Sequence, residues 1–122
     1  MSKRIVIAGG RDFDDYQGMC KVLDKIKWEP DDVIVSGTTN GADTLGERYA
    51  NEHGLRIARF PARWDKHGKK AGFLRNEEMA EFCTGGILFW DGVSRGTRSM
   101  IFLLGKYKKP FKIIRYIKKE EI

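Results

Sequence analysis

Five short apolar runs alternate with four stretches of helical periodicity, and that alternation is the strongest constraint on the fold. The runs are Lys3–Ala8, Asp32–Ser36, Leu55–Phe60, Ile87–Trp90 and Phe111–Ile117. Their length and β-branched content predict strands. Between the first two runs, apolar residues fall at 16, 19, 20, 23 and 26, which is helical spacing. Asp14 or Asp15 is a suitable N-cap, and Pro30 forbids continuation past Trp28-Glu29. A second helix carries Ala42, Leu45 and Tyr49 on one face and ends at His53-Gly54. A third is expected from about Phe73 to Cys83, stopped by Gly85-Gly86. A fourth follows from Ser99, with Met100, Leu103, Leu104 and Tyr107 on one stripe, and stops at Lys109-Pro110. The order β-α-β-α-β-α-β-α-β predicts an α/β three-layer sandwich with a mostly parallel five-stranded sheet. Residues 1–122 make one domain, because this length builds one core and not two.

Right-handed crossovers place all strand-to-helix bends of such a sheet on one edge, where open α/β sheets bind ligands. Four bends are expected there: Gly9–Phe13, Ser36–Asp43, Phe60–Asn76 and Trp90–Arg98. The last is the richest in chemistry. Ser94, Arg95, Gly96 and Thr97 open a helix beside Trp90 and Asp91, which makes a phosphate site from free amides, a dipole end and cations. A capped helix start with solvated arginines is the plainer reading. Gly9, Gly10, Arg11, Asp12 and Phe13 suit a ligand-contacting turn, with holding Arg11 in place as the alternative role of Asp12; a simple tight turn needs glycine but not Arg11-Asp12. Ser36, Gly37, Gly41, Ala42 and Asp43 form a bend suited to a ribose or phosphate contact, the Asp43 carboxylate accepting from ribose hydroxyls, or merely an acid in a first helical turn. Arg75 and Asn76 are expected to face the ligand at the start of the third helix, with Glu77 and Glu78 complementing its dipole. Trp64 and Trp90 are candidate base-stacking platforms, although tryptophans commonly serve the core.

Pro61 to Gly72 lacks apolar periodicity and is expected to be an irregular, lid-like loop. Its Arg63, Lys66, His67, Lys69 and Lys70, together with Arg75, form one of two basic clusters in a chain of net charge +6. The other runs from Lys106 to Lys119, a solvated helix end and strand edge. Such a balance favours anionic partners. No companion places His67 at metal-ligand spacing, so neither a metal nor another cofactor is expected. Cys20 and Cys83 suit reduced core positions of a cytoplasmic protein. No apolar stretch is long enough for a membrane span, and no signal-peptide pattern is present.

The bends GGRDF, SGxxxGAD, FPARWxxHGxxAGxxRN and FWDGxSRGT together resemble the YspA-like, cpYpsA-related branch of the SLOG superfamily, across nearly the whole chain. The superfamily also takes in the DNA-processing protein DprA and the Lonely Guy cytokinin-activating enzymes. The resemblance implies a Rossmann-like fold, a nucleotide or nucleotide-derived ligand, and pairing into a homodimer, for which the apolar fourth helix (Met100 to Leu104) offers a face. Two departures stand out. Thr38 occupies a position where the family usually has a second glycine after serine. Lonely Guy enzymes have a glutamate three residues after the threonine of their Gly-Thr turn, where this chain has Met100. Methionine cannot do carboxylate chemistry, so phosphoribohydrolase activity is not carried over with the resemblance.

Three functions follow as expectations. The first is binding of a nucleotide-like small molecule without catalysis. The second is N-glycosidic hydrolysis of the same ligand class, using Asp12, Asp43, Asp91 or Glu78. The third is nucleic-acid binding, distinguishable by a steep salt dependence.

Overall fold

The computed structural model describes residues 2–118, so Lys119 and the rest of the charged tail lie outside the described residues. Five parallel strands form one sheet: β1 (Arg4–Gly9), β2 (Val33–Ser36), β3 (Arg56–Arg59), β4 (Gly85–Trp90) and β5 (Phe111–Arg115), in the order β3-β2-β1-β4-β5. The chain winds outward from β1 through β2 to β3, then returns to lay β4 on the other side of β1. That reversal makes β1/β4 the switch point, with Gly9 opposite Phe89 at its end.

Alternation along the strands divides the core in two. Val6, Ala8, Val35 and Leu88 face α4 (Ala71–Phe82) and α5 (Arg95–Lys106), meeting Met79, Ala80, Met100, Leu103 and Leu104. Ile7, Ile34, Ile87 and Phe89 face α1 (Tyr16–Leu23) and α2 (Ala42–Glu52), meeting Met19, Leu23, Tyr49 and Ala50. The Rossmann-like three-layer arrangement is therefore as expected, and every strand pair is parallel. Asp15 caps α1 by accepting from the Gly18 amide at 2.9 Å. Cys83 is buried and Cys20 part-buried, both as free thiols. On α5, Met100, Leu103 and Leu104 are covered by the sheet, while Phe102 stays exposed. No helix of the described residues is long and apolar enough to cross a membrane.

The opposite edge of the sheet is pinned by Asp32, which is fully buried. Its carboxylate accepts from the Lys3 amide at 2.7 Å and the Glu29 amide at 2.8 Å, and pairs with the Lys3 ammonium at 3.0 Å. Burial alone would raise its pKa, but those amides and the ammonium outweigh it and hold the carboxyl below the usual range.

Three boundaries differ from the sequence reading. α1 stops at Leu23, and Lys25 and Ile26 continue only as turns bonded to Val22 and Leu23. Gly85-Gly86 opens β4 instead of merely stopping α4. A Cβ there would lie 3.0 Å from the Pro110 carbonyl oxygen or 3.1 Å from a Leu104 methyl, so the strand needs small residues to let its neighbours close. Finally, Pro61 to Gly72 is not an irregular loop. It holds a helical turn, α3 (Trp64–His67), then a 3-10 turn at Gly68–Lys70, and α4 begins at Ala71. α3 buries no residue, which is why no apolar period marks it.

Candidate functional site

Four hydrogen-bonded seams gather the strand-to-helix bends at the C-terminal edge of the sheet. The Gly10 amide donates to the Phe89 carbonyl at 3.1 Å, joining the first bend to the fourth. The Gly10 carbonyl accepts from the Ala42 amide at 3.3 Å, joining the first to the second. Arg75, on the first turns of α4, donates through Nη1 to the Gly37 carbonyl and to the Phe60 carbonyl, the latter at 3.4 Å. Its Nε holds Asn76 Oδ1 at 2.8 Å, and Asn76 Nδ2 reaches the Gly96 carbonyl at 3.4 Å. The Arg75-Asn76 pair thus ties the third bend to the second and the fourth.

Between these bends opens a cleft of about 510 Å³, at the β1/β4 switch point. Of the residues expected at a ligand, Gly9, Gly10, Arg11, Asp12, Asp43, Arg75, Asn76, Asp91, Ser94, Gly96 and Thr97 line it. The others lie outside the lining, and all but Arg95 serve the protein itself. Phe13 is buried with its ring 4.7 Å from Phe89 and 5.0 Å from Tyr116. Ser36 is buried and donates to Glu47 at 2.7 Å. Gly37 offers its carbonyl to Arg75, and Gly41 and Ala42 pack against the first bend. Trp90 donates its indole N–H to the Ser94 carbonyl at 3.1 Å, and Arg98 and Arg115 lie over its ring. Arg95 is exposed and does not line the cleft. Glu77 pairs with Lys106 and Tyr107 away from the cleft, and Glu78 is exposed.

The start of α5 is partly occupied by the protein's own carboxylate. Asp91 Oδ1 accepts from the amides of Val93 and Ser94 at 2.9 and 2.7 Å. Burial opposes its charge, but these amides and the Lys118 ammonium outweigh it, and the carboxyl sits below its usual range. The amides of Arg95, Gly96 and Thr97 follow in the first turn, where no intrahelical carbonyl can reach them. A Cβ built on Gly96 would meet nothing within 4 Å, so the backbone is open there.

Two carboxylates in the cleft are set apart by their environment. Asp12 accepts the Tyr116 hydroxyl on Oδ1 at 2.6 Å, while its Oδ2 is buried without a hydrogen-bond partner. An unpartnered buried carboxylate oxygen is costly, and a ligand donor would satisfy it. Asp43 is only 5% exposed. Its Oδ2 accepts from the Thr39 hydroxyl at 2.9 Å and the Thr39 amide at 3.3 Å. Burial nevertheless raises its pKa to about 6, against the pull of Thr39 and the nearby Arg75 guanidinium.

Sequence reasoning missed Thr39, Met79, Val93, Met100 and Lys118, which also line the cleft, and Tyr116, which positions Asp12. Thr39 lies inside the SGxxxGAD bend, where a hydroxyl four residues before an acid was the available signal. Met100 stands in the cleft where a carboxylate would be needed for Lonely Guy chemistry. Thr38 departs from glycine at a position where φ is +68°, the left-handed region that a β-branched side chain resists. Thr38→Gly is therefore expected to raise stability by about 0.5–1 kcal/mol in urea denaturation, the relieved strain exceeding glycine's entropy cost. An unchanged or lowered midpoint would show that the bend is relaxed with threonine.

The model of a family described as the YspA, cpYpsA-related SLOG family matches residues 3–67. The chain is also 36% identical over 107 residues to the gene 61 protein of Mycobacterium phage D29, an alignment taking in 79% of this chain and 83% of that protein. No solved structure matches. Since the family match covers more than half of the sequence and includes the first two bends of the cleft, this chain belongs to the YspA, cpYpsA-related SLOG family.

Proposed function

We propose that the protein binds a nucleotide or nucleotide-derived small molecule in the cleft at the C-terminal edge of the sheet. The observation that carries this reading is the seaming of four bends around one cleft at the switch point. The lining pairs an open helix start with the cations Arg11, Arg75 and Lys118 and with two carboxylates, Asp12 with one unpartnered oxygen and Asp43 deeply buried. On this reading the phosphate meets the Gly96 and Thr97 amides, with the Lys118 ammonium at that end beside Asp91, while Arg75 stands beside Asp43. The Asp12 Oδ2 and Asp43 carboxylates accept donors from ribose or base. Membership of the SLOG family is compatible with such a ligand.

Gly96→Val separates binding from folding. A Cβ at 96 would meet no protein atom within 4 Å, and because Cβ atoms in a helix tilt toward its N-terminus, the valine methyls would crowd the side from which an anion approaches the first-turn amides. The expected result, from calorimetry with a panel of nucleoside mono-, di- and cyclic phosphates and ADP-ribose, is binding by wild type. The variant should lose about 10-fold or more in affinity with its thermal midpoint within a few degrees of wild type. Equal affinity in the two proteins, or no ligand in the panel bound by wild type, removes the phosphate assignment.

A second reading, N-glycosidic hydrolysis of the same ligand, is favoured by Asp43 alone, because a buried carboxyl titrating near 6 suits general acid–base work. Water would add to the anomeric carbon as the bond to the base breaks and the base leaves with a proton. Release of free base by wild type and its loss in Asp43→Asn would favour turnover over binding; intact ligand after prolonged incubation would exclude it.

A further inference from the structure

The segment between β3 and α4 is not absorbed by the cleft, and its surface has a consistent chemistry. Trp64 is 55% exposed and Phe73 46% exposed. The indole leans over the first turn of α4, since a Cβ on Gly72 would lie 3.5 Å from its Cη2 atom. Arg63, Lys66, Lys69 and Lys70 surround this corner, all exposed, and none has an ion pair among the described residues. Asp65 is the single acid between them. Two exposed aromatic rings among four cations and one acid leave a net charge of +3 and uncovered apolar surface, which a partner with both π surfaces and negative charge would offset.

We infer that this corner, built by α3, the 3-10 turn and the start of α4, is a binding surface for single-stranded nucleic acid. Each nucleotide brings one phosphate and one stackable base, matching a surface that carries both cations and exposed aromatic rings. Stacking on Trp64 requires an unpaired base, and a four-residue helix is too short to fill a major groove, so duplex DNA fits poorly. A membrane surface fits less well, because α3 presents no continuous apolar stripe of the kind an interfacial helix buries. The surface lies outside the cleft lining and does not depend on what the cleft holds.

The test is fluorescence anisotropy of a labelled oligothymidylate of about 15 nucleotides with the whole chain, at salt from about 50 to 200 mM. Wild type is expected to bind with a log–log salt slope of about −2 to −3, from three to four phosphate contacts. Lys66→Gln/Lys69→Gln/Lys70→Gln should weaken binding about 10-fold or more and flatten the slope by about 2. Trp64→Ala should weaken it at least about five-fold with the slope unchanged, and Trp64→Phe should restore most of that loss. Thermal midpoints and mononucleotide binding in the cleft should be the same in all variants, so failure of this surface and failure of the cleft are told apart. No oligonucleotide binding, variants that bind like wild type, or capture of phosphatidylserine vesicles that the oligonucleotide does not displace would overturn the inference.

Discussion

Gly41→Ala is expected to cost about 4 kcal/mol and to abolish ligand binding by whatever fraction still folds, because it forces apart two of the bends that frame the cleft. Gly41 has φ +82° and ψ −127°, a conformation that residues with a side chain scarcely adopt. Strain alone would cost about 1–3 kcal/mol. A collision is added to it. The new Cβ would lie 2.2 Å from the Gly10 carbonyl oxygen and 2.7 Å from the Arg11 backbone, and backbone atoms cannot rotate away as a side chain can. The same Gly10 carbonyl accepts the Ala42 amide, so relief of the clash also breaks that seam. Gly54→Ala is the control. It too has positive φ, at +68°, but its Cβ would meet nothing within 4 Å, so it is expected to cost about 1 kcal/mol. Urea denaturation of both variants measures the difference. Equal costs at the two positions would mean that the first and second bends do not press together as described.

That comparison also shows where the sequence was legible. Alternating strand and helix patterns placed β1 to β5 in order and put the bends on one edge, because burying an apolar stripe leaves few alternatives to a parallel sheet with right-handed crossovers. What a glycine is for was less legible. Gly10 and Gly41 read equally well as sites of close ligand approach, and both are spaces that another part of the chain needs: Tyr116 and Asp12 beside Gly10, the Gly10–Arg11 backbone beside Gly41. Gly96, by contrast, does face open space. Local sequence cannot separate these cases, since the neighbour arrives from a distant bend. Tyr116 acts on Asp12 across most of the chain length, from a segment that looked like a solvated strand end. Asp91 and Ser94 were expected to serve the ligand, and Asp91 spends one oxygen on the protein's own amides, a local choice that Asp commonly makes in turns. α3 escaped notice because a four-residue helix that buries nothing leaves no period to read.

At pH 8, Asp43→Asn is expected to be more stable than wild type by about 2–3 kcal/mol, and at pH 4 the two should be nearly equal. Asp43 is buried, and its folded-state pKa is raised to about 6, above the value near 3.8 of an unburied aspartate. A carboxyl with a raised pKa binds its proton more tightly in the folded state. Its favourable contribution is therefore fully present below about pH 4 and is lost as pH climbs through 6. The difference between 3.8 and about 6 corresponds to about 3 kcal/mol, which the ionised side chain costs the ligand-free protein at alkaline pH. Asparagine stays neutral and can still accept from Thr39, so it mimics the protonated acid without that cost. The attraction to Arg75 is already contained in the raised value and does not reverse the sign. A ligand that donates a hydrogen bond to this carboxylate would stabilise the charged form and lower its pKa, so wild-type affinity should rise from pH 5 to 7 while that of the variant stays flat. Urea midpoints at pH 4 and 8 and titration calorimetry at pH 5 and 7 measure the two effects. A stability difference independent of pH would place the Asp43 charge in a solvated environment, and parallel affinity profiles would remove it from contact with the ligand.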